Sequence, residues 1–361
     1  MYPALTVRGA LGSRVSAVMW YGRAGGMEAT LAARAGIPFR AVRSGALVDR
    51  GPLGVLAGAV AIARGTLAAA RDLRRERPDA VFVTGGYVSV PLAVAARLTG
   101  TPLCVYLPDI VPGRAVQLIA RLADRICVTA EAALDSLPRR ARVRAAVTGY
   151  PVRPLVRDTD RAAARARLAV APDDAVVLVF GGSQGARRIN DAVADAAPAL
   201  LARAVVLHAA GATTLPAATA ARAALAERLG ADAAARWRLV PYFEDDAMAD
   251  ALAAADVVVC RAGAAVLGEL PARGLPAILV PLPISGGHQW PNARVLVDAG
   301  AAVVVADADL DGARLAAEVA ALLDDPAQRG AMGAAARRLD RPAAAEDIAL
   351  VLLAMTSGGA A

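Results

Sequence analysis

The chain has 361 residues, 57% of them hydrophobic, with 40 basic residues against 33 acidic ones and a net charge of +7. That length and apolar content suit two domains, each with a sizeable core. The charge invites an anionic partner, but no RNA-binding aromatic motif, zinc-finger spacing or long basic run supports nucleic acid.

Every basic residue is arginine, which reads as a bias towards GC-rich codons. Cys104, Cys127 and Cys260 are scattered through apolar runs. Their odd number and spacing argue against a disulfide framework or a zinc site and for buried thiols in a cytoplasmic protein. No signal peptide is evident. The longest lipid-compatible run, Pro52 to Ala63, is too short to span a bilayer.

In chain order, "YPALTVRGAL" reads as a helix with proline near its start, and "VSAVMWYG" as a strand. A helix that opens an α/β domain has nothing before it to pack against. "GPLGVLAGAVAIARGTLAAARDLRRERPDA" is apolar and then arginine-rich. It suits either an anionic membrane surface or a core helix with a solvated end. "AVFVTGG", "LCVYLP", "RICVTA" and "VRAAVTG" follow as strands. Past a proline- and charge-rich stretch come "AVVLVFGG", "AVVLHAAG", "RLVPYF", "DVVVCRAG", "PAILVPLP" and "AAVVVA". Continuous apolar strands alternating with helices predict parallel sheets covered on both faces. Eleven such strands predict two doubly wound Rossmann-type domains facing a cleft. The expected boundaries are 1–153, 154–338 and a closing helix with tail over 339–361. Ligands are expected beyond the carboxyl ends of the strands.

The strongest local signal is "VVLVFGGSQGARRIN". A strand runs into Gly181-Gly182-Ser183-Gln184-Gly185 and then a helix, a pattern that suits a bound diphosphate. It is neither the Walker loop nor the dinucleotide fingerprint. A second helix start follows Arg261-Ala262-Gly263-Ala264, where Arg261 is placed to meet a phosphate. Glu269, one turn on, is placed to accept hydrogen bonds from a ribose diol. In "PISGGHQWPNARVL", Gln289 and Asn292 share a helix face and suit sugar hydroxyls. His288 reads either as a general base or as a loop residue. In the first half, Gly85-Gly86-Tyr87 mirrors the later glycine loop. Asp109 reads as a general base or as a turn residue between prolines. The Asp158/Asp160 and Asp307/Asp309 pairs read as linker and turn, so no metal site is expected.

These strings resemble a known family. "GGSQGARRIN", "YFEDDAMADALAAADVVVCRAGA", "GELPARGLPAILVPLP", "HQWPNARVLVDAGAA", "GGYVSVP" and "GMEATLAARAGIPF" look like the undecaprenyldiphospho-muramoylpentapeptide β-N-acetylglucosaminyltransferases, the MurG family. The resemblance runs over nearly the whole chain. It implies a GT-B fold and inverting transfer of N-acetylglucosamine from UDP-N-acetylglucosamine to undecaprenyl-linked lipid I. It implies a peripheral location on the cytoplasmic face of the cell membrane, against anionic lipid, and no metal or cofactor. It places Gly182, Ser183 and Gln184 at the diphosphate or sugar and Phe243 at the uracil. Ala264, Ala265 and Val266 would present amides to the phosphates, and Glu269 would hold the ribose. Gln289 and Asn292 would read the sugar, and Tyr87 would lie near the acceptor.

The acceptor half departs from the family pattern. The family carries a "GGTGGH" loop after a first strand, just before a string like "YPAL". The resemblance therefore implies that strand, loop and histidine lie upstream of Met1, and that Met1 is a valine- or isoleucine-like position read as a start. Tyr106-Leu107-Pro108-Asp109 stands where the family has "HEQN". Tyr150 replaces the asparagine of "GNPVR", while Arg153 is kept. A related enzyme with another lipid or natural-product acceptor, a UDP-sugar epimerase, and a UDP-sugar-binding protein without catalysis are the alternative readings.

Overall fold

A computed structural model of the chain describes residues 1–42, 44, 52–182, 185–283 and 287–357. Two compact units emerge. One comprises residues 1–151 with the segment from Ala343 onward, and the other comprises Val152–Pro342.

In the first unit the strands are β1 (Trp20–Gly22), β2 (Phe39–Ala41), β3 (Val81–Val83), β4 (Leu103–Leu107), β5 (Arg125–Val128) and β6 (Ala145–Val147). All pairings are parallel, but they form two sheets, β1-β2 and β3-β4-β5-β6. Strand β2 is absent from the expected list. It is only three residues long and follows Pro38, so its apolar run is too short to stand out.

Helix Tyr2–Leu11 buries Pro3, Val7 and Leu11. It packs on the last helix, Ala344–Ser357, and Arg14 pairs with Glu346 at 2.6 Å. The partner that the opening helix needs is therefore supplied by the other end of the chain. The compact units end a few residues from the expected boundaries. Arg153 lies in the second unit, where it pairs with Asp245 and Glu269, and Asp340 lies there too, in a bidentate pair with Arg157 at 2.6 and 2.9 Å.

Helix Pro52–Glu76 buries Thr66, Ala69, Ala70 and Leu73 while leaving Val60 and Leu67 exposed. Among the described residues, no helix is long and apolar enough to cross a membrane. All three cysteines are buried and unbridged.

The second unit is one six-stranded parallel sheet. Its strands are β7 (Ala175–Phe180), β8 (Ala204–Ala209), β9 (Trp237–Val240), β10 (Val257–Cys260), β11 (Ala277–Leu279) and β12 (Ala302–Val304). The order is β12-β11-β10-β7-β8-β9, so the winding direction reverses between β7 and β10. Near-continuous valine, isoleucine and leucine in β7, β8, β10 and β11 follow from burial on both faces. Helices Arg187–Leu201 and Gly312–Asp324 bury Ile189, Val193, Leu315 and Val319 against one of those faces.

One polar chain crosses this core. The Trp237 indole N–H donates to His208 Nδ1 at 3.2 Å, so the proton sits on Nε2, which donates to Asn190 Oδ1 at 3.0 Å. Asn190 then donates to the Ala210 carbonyl and to Thr214 Oγ1, at 2.7 and 2.9 Å. Burial lowers the His208 pKa from 6.5 to about 4. The unfolded chain therefore takes up a proton near pH 6.5 that the folded chain refuses until about pH 4. Stability should fall by about 3 kcal/mol as pH drops through that window and level off below it. Denaturant unfolding of the parent and of His208→Gln at several pH values tests this. The parent should show the steeper fall, and equal slopes would contradict the assignment.

Candidate active site

Strands β7 and β10 are neighbours in register, with Phe180 paired to Cys260. Their carboxyl ends release the two predicted loops side by side. This is the reversal point of the sheet, where a crevice opens because the flanking connections run to opposite faces.

The loop after β7 is shaped by glycine. Gly182 has φ +92°, and the Gly185 N–H donates to the Gly182 carbonyl at 2.9 Å. Gly185 has φ +77°, and a Cβ there would lie 2.5 Å from the Ala210 oxygen and 2.6 Å from Thr214 Oγ1. The polar chain from His208 through Asn190 thus ends on the loop's own support. Sequence reasoning missed Asn190, Thr214 and His208. The signal available was Asn190 in the quoted motif and the rarity of histidine. Ser183 and Gln184 lie outside the described residues.

The loop after β10 opens helix Val266–Arg273. The Val266 N–H donates to Gly263 O at 3.1 Å. Among the described residues, the N–H groups of Ala264 and Ala265 donate to nothing. They are the unsatisfied donors that every helix start carries, and the helix dipole adds positive potential there. Val266 contributes packing and a turn hydrogen bond, so its amide is already used.

Two other expected site residues are engaged within the loops themselves. Asn292 is 0% exposed and donates to Ala262 O at 3.0 Å, so it holds the loop. Arg261 is also buried. Its Nη1 lies 2.5 Å from Asp307 and donates to Val280 O at 3.1 Å. In both cases the side chain is committed to the ends of neighbouring strands. Asp307, read as a turn residue, is the partner that the sequence did not reveal. Arg188 adds to the same brace, donating to the carbonyls of Asp307 and Ala308 at 2.9 Å each.

Gln289 opens helix Gln289–Asp298. Its Oε1 accepts from Ala262 N at 3.1 Å and Leu282 N at 2.9 Å. Those two bonds fix the amide's orientation and turn its NH₂ group the other way. His288 caps the same helix, and its Nδ1 is buried without a hydrogen bond among the described residues.

Glu269 lies on the first turn of helix Val266–Arg273. Burial raises its pKa, and the charge and hydrogen bond of Arg153, at 3.2 Å, work against that rise. Arg153 also pairs with Asp245 at 2.8 Å. Phe243 is buried in the loop after β9. Burial, with the Glu269 charge behind it, pushes the Cys260 thiol up, so no thiolate is offered to the site.

In the first unit, Gly85 and Gly86 have φ +93° and +85° and place an exposed Tyr87 after β3. Asp109 sits in the turn after β4. No group of histidine, cysteine, aspartate and glutamate among the described residues is arranged to hold a metal ion.

The glycosyltransferase family 28 C-terminal domain matches residues 176–348, and its N-terminal counterpart matches residues 1–128. A relative from Roseiflexus sp. strain RS-1 is 41% identical over 367 residues, covering 92% of this chain and 82% of the relative. It is named UDP-N-acetylglucosamine–N-acetylmuramyl-(pentapeptide) pyrophosphoryl-undecaprenol N-acetylglucosamine transferase. The chain belongs to the MurG family. A second MurG-family relative, from Desulforudis audaxviator strain MP104C and bearing the same name, is 38% identical over 96% of this chain and 93% of its own. The crystal structure of Acinetobacter baumannii MurG superposes with a TM-score of 0.73 at 28% identity, covering 98% of this chain and 95% of that one. The two parallel-sheet units are accordingly the two halves of a GT-B glycosyltransferase.

Gly185→Ala tests the loop geometry. It forces an L side chain into positive φ and against a carbonyl, which should cost about 1–3 kcal/mol. Denaturant unfolding should show that loss, whereas Gly182→Ala, with no atom of the described residues within 4 Å of its added Cβ, should lose only the backbone share. Equal losses would contradict the described contact with Ala210 and Thr214.

Proposed function

We propose that the chain moves N-acetylglucosamine, with inversion, from UDP-N-acetylglucosamine to undecaprenyl-linked lipid I, forming lipid II at the cytoplasmic membrane face. One observation carries the reading: two amides, Ala264 and Ala265, unsatisfied among the described residues, beside a glycine loop at the sheet's reversal point, in a chain of this family.

The donor diphosphate lies between the Gly182-Ser183-Gln184 loop and the Ala264 and Ala265 amides. Glu269 accepts from the ribose hydroxyls, and Arg153 works against the rise in pKa that burial imposes on that carboxylate. Phe243 backs the uracil. The Gln289 NH₂ group donates to sugar hydroxyls. Val266, Asn292 and Arg261 act through the backbone they hold. Tyr87 meets the acceptor.

The reaction needs three things. The C4 hydroxyl of the muramoyl sugar must lose a proton to a base, for which Asp109 and His288 are the candidates. The transferred sugar passes through an oxocarbenium-like state. Negative charge grows on the departing UDP, and amides at a helix start stabilise it without reorganising. No metal, cofactor or nucleic acid enters the reading. The exposed Val60 and Leu67 on an arginine-bearing helix support contact with an anionic membrane surface.

Lipid II formation from radiolabelled donor and purified lipid I tests the reading. Glu269→Gln should raise the donor KM by roughly 10–100-fold with a smaller change in kcat, because it removes a charge-assisted bond made before and during the reaction. An unchanged KM would remove Glu269 from the donor site. UDP binding by the parent chain without transfer to lipid I would favour the binding-protein alternative.

A further inference from the structure

A second polar cavity lies within the second unit. It has a volume of about 340 Å³ and is bordered by Asp256, just before β10, and by Leu275 and Pro276, just before β11. It therefore opens at the amino ends of the strands, whereas the site loops leave their carboxyl ends. The four residues of β10 set the two apart by about 13 Å of strand.

Four arginines line this cavity: Arg161, Arg273, Arg329 and Arg337. The sole lining carboxylate, Asp256, is already occupied. It pairs with Arg161 at 2.8 Å and accepts from Val176 N at 2.9 Å. Among the lining side chains the formal charge is therefore three positive, with Asp158 and Asp160 acting on Arg273 from outside the lining.

Arginines that cap helix ends are common, and three of these do so in part. Arg161 donates to the carbonyls of Ala253 and Ala255. Arg273 donates to Val156 and Arg157 through Nη1, and Arg329 to Leu322 and Leu323 through Nη1. Capping leaves donors unspent. Arg273 Nε is buried without a hydrogen bond among the described residues. Arg337 is exposed, and its guanidinium makes neither hydrogen bond nor ion pair among the described residues.

The backbone is built to admit these groups. Gly274, at φ +62°, has the Arg337 guanidinium where its Cβ would be, with Cζ 2.6 Å away. A Cβ on Gly333 would lie 2.7 Å from Gly274 O, so the helix Pro326–Arg338 runs directly against that turn. Burial, and then the charge of Arg161, lowers the Arg273 pKa, and Asp160 and Asp158 offset this only in part. Like charges gathered in one cavity are costly unless an anion joins them.

We propose that this cavity is a second anion site, which takes the phosphoryl or pyrophosphoryl group of a small phosphorylated metabolite or of a lipid headgroup. Guanidinium forks match phosphate oxygens in pairs, and a cavity of this size holds a diphosphate with part of its attached group.

Calorimetric titration of the full chain with inorganic pyrophosphate tests the site. Arg337→Gln should weaken binding by about tenfold, the loss of one charge-assisted pair, and Arg337→Glu should weaken it further. Arg337→Lys should recover part of the affinity. Arg337→Gln and Arg337→Lys should unfold close to the parent, whereas Arg337→Glu, which puts a negative charge in the last turn of its helix, should be slightly less stable; the titrations are therefore run well below the unfolding transition of every variant. Sedimentation with phosphatidylglycerol/phosphatidylcholine vesicles then separates the sources. Vesicle binding that falls in Arg337→Glu points to a lipid headgroup, and vesicle binding that persists points to a free metabolite. Pyrophosphate affinity unchanged in Arg337→Glu, or no binding by the parent, would overturn the proposal.

Discussion

The pairing of β7 with β10 is the constraint on which the rest of the second unit depends. These strands are far apart in sequence, with β8 and β9 between them, yet Phe180 and Cys260 end up as register partners. Because both strands are parallel and both end there, two separate helix starts emerge at one place. It is the position where the connections leave to opposite faces of the sheet, so a crevice opens between the two loops. The anion-attracting character of the site follows from that topology and needs no lysine, which the chain lacks altogether.

Such a site works only if its amides stay in place when nothing is bound. Three side chains do that holding, and two of them, Asn292 and Arg261, are buried. Asn292 and Gln289 grip the carbonyl and the N–H of Ala262, and Arg261 ties the end of β10 to Val280 and Asp307. Each links loops that follow different strands, so the loops cannot drift apart independently. On the other side, Thr214 and Asn190 play the same part for the glycine loop. The holding is paid in buried polar groups, which are costly alone and rigid when satisfied.

Much of this was legible in the sequence. The long apolar strands β7, β8 and β10 announce a buried parallel sheet because burial on both faces leaves no polar alternation. The glycine loop and the helix start after β10 could be placed because strand, turn and helix follow one another within a few residues. The rest depended on contacts across long sequence distances. Nothing local says that Arg261 faces Asp307 or that Asn292 points inward, since an amide three residues from another reads equally as a shared exposed face. The short strand β2 was hidden for a different reason, with three residues carrying too little pattern. The partner of the opening helix was hidden because it lies at the other end of the chain. The ion pairs near the unit boundary were hidden for a similar reason, as Arg153 and Asp340 meet carboxylate and guanidinium partners far away in sequence.

The central claim is that the unsatisfied amides of Ala264 and Ala265 receive the diphosphate. Amide hydrogen exchange with and without UDP measures this directly. The account predicts that peptides spanning residues 262–268 exchange more slowly once UDP is bound. UDP binding confirmed by calorimetry, with exchange in that segment unchanged, would contradict it.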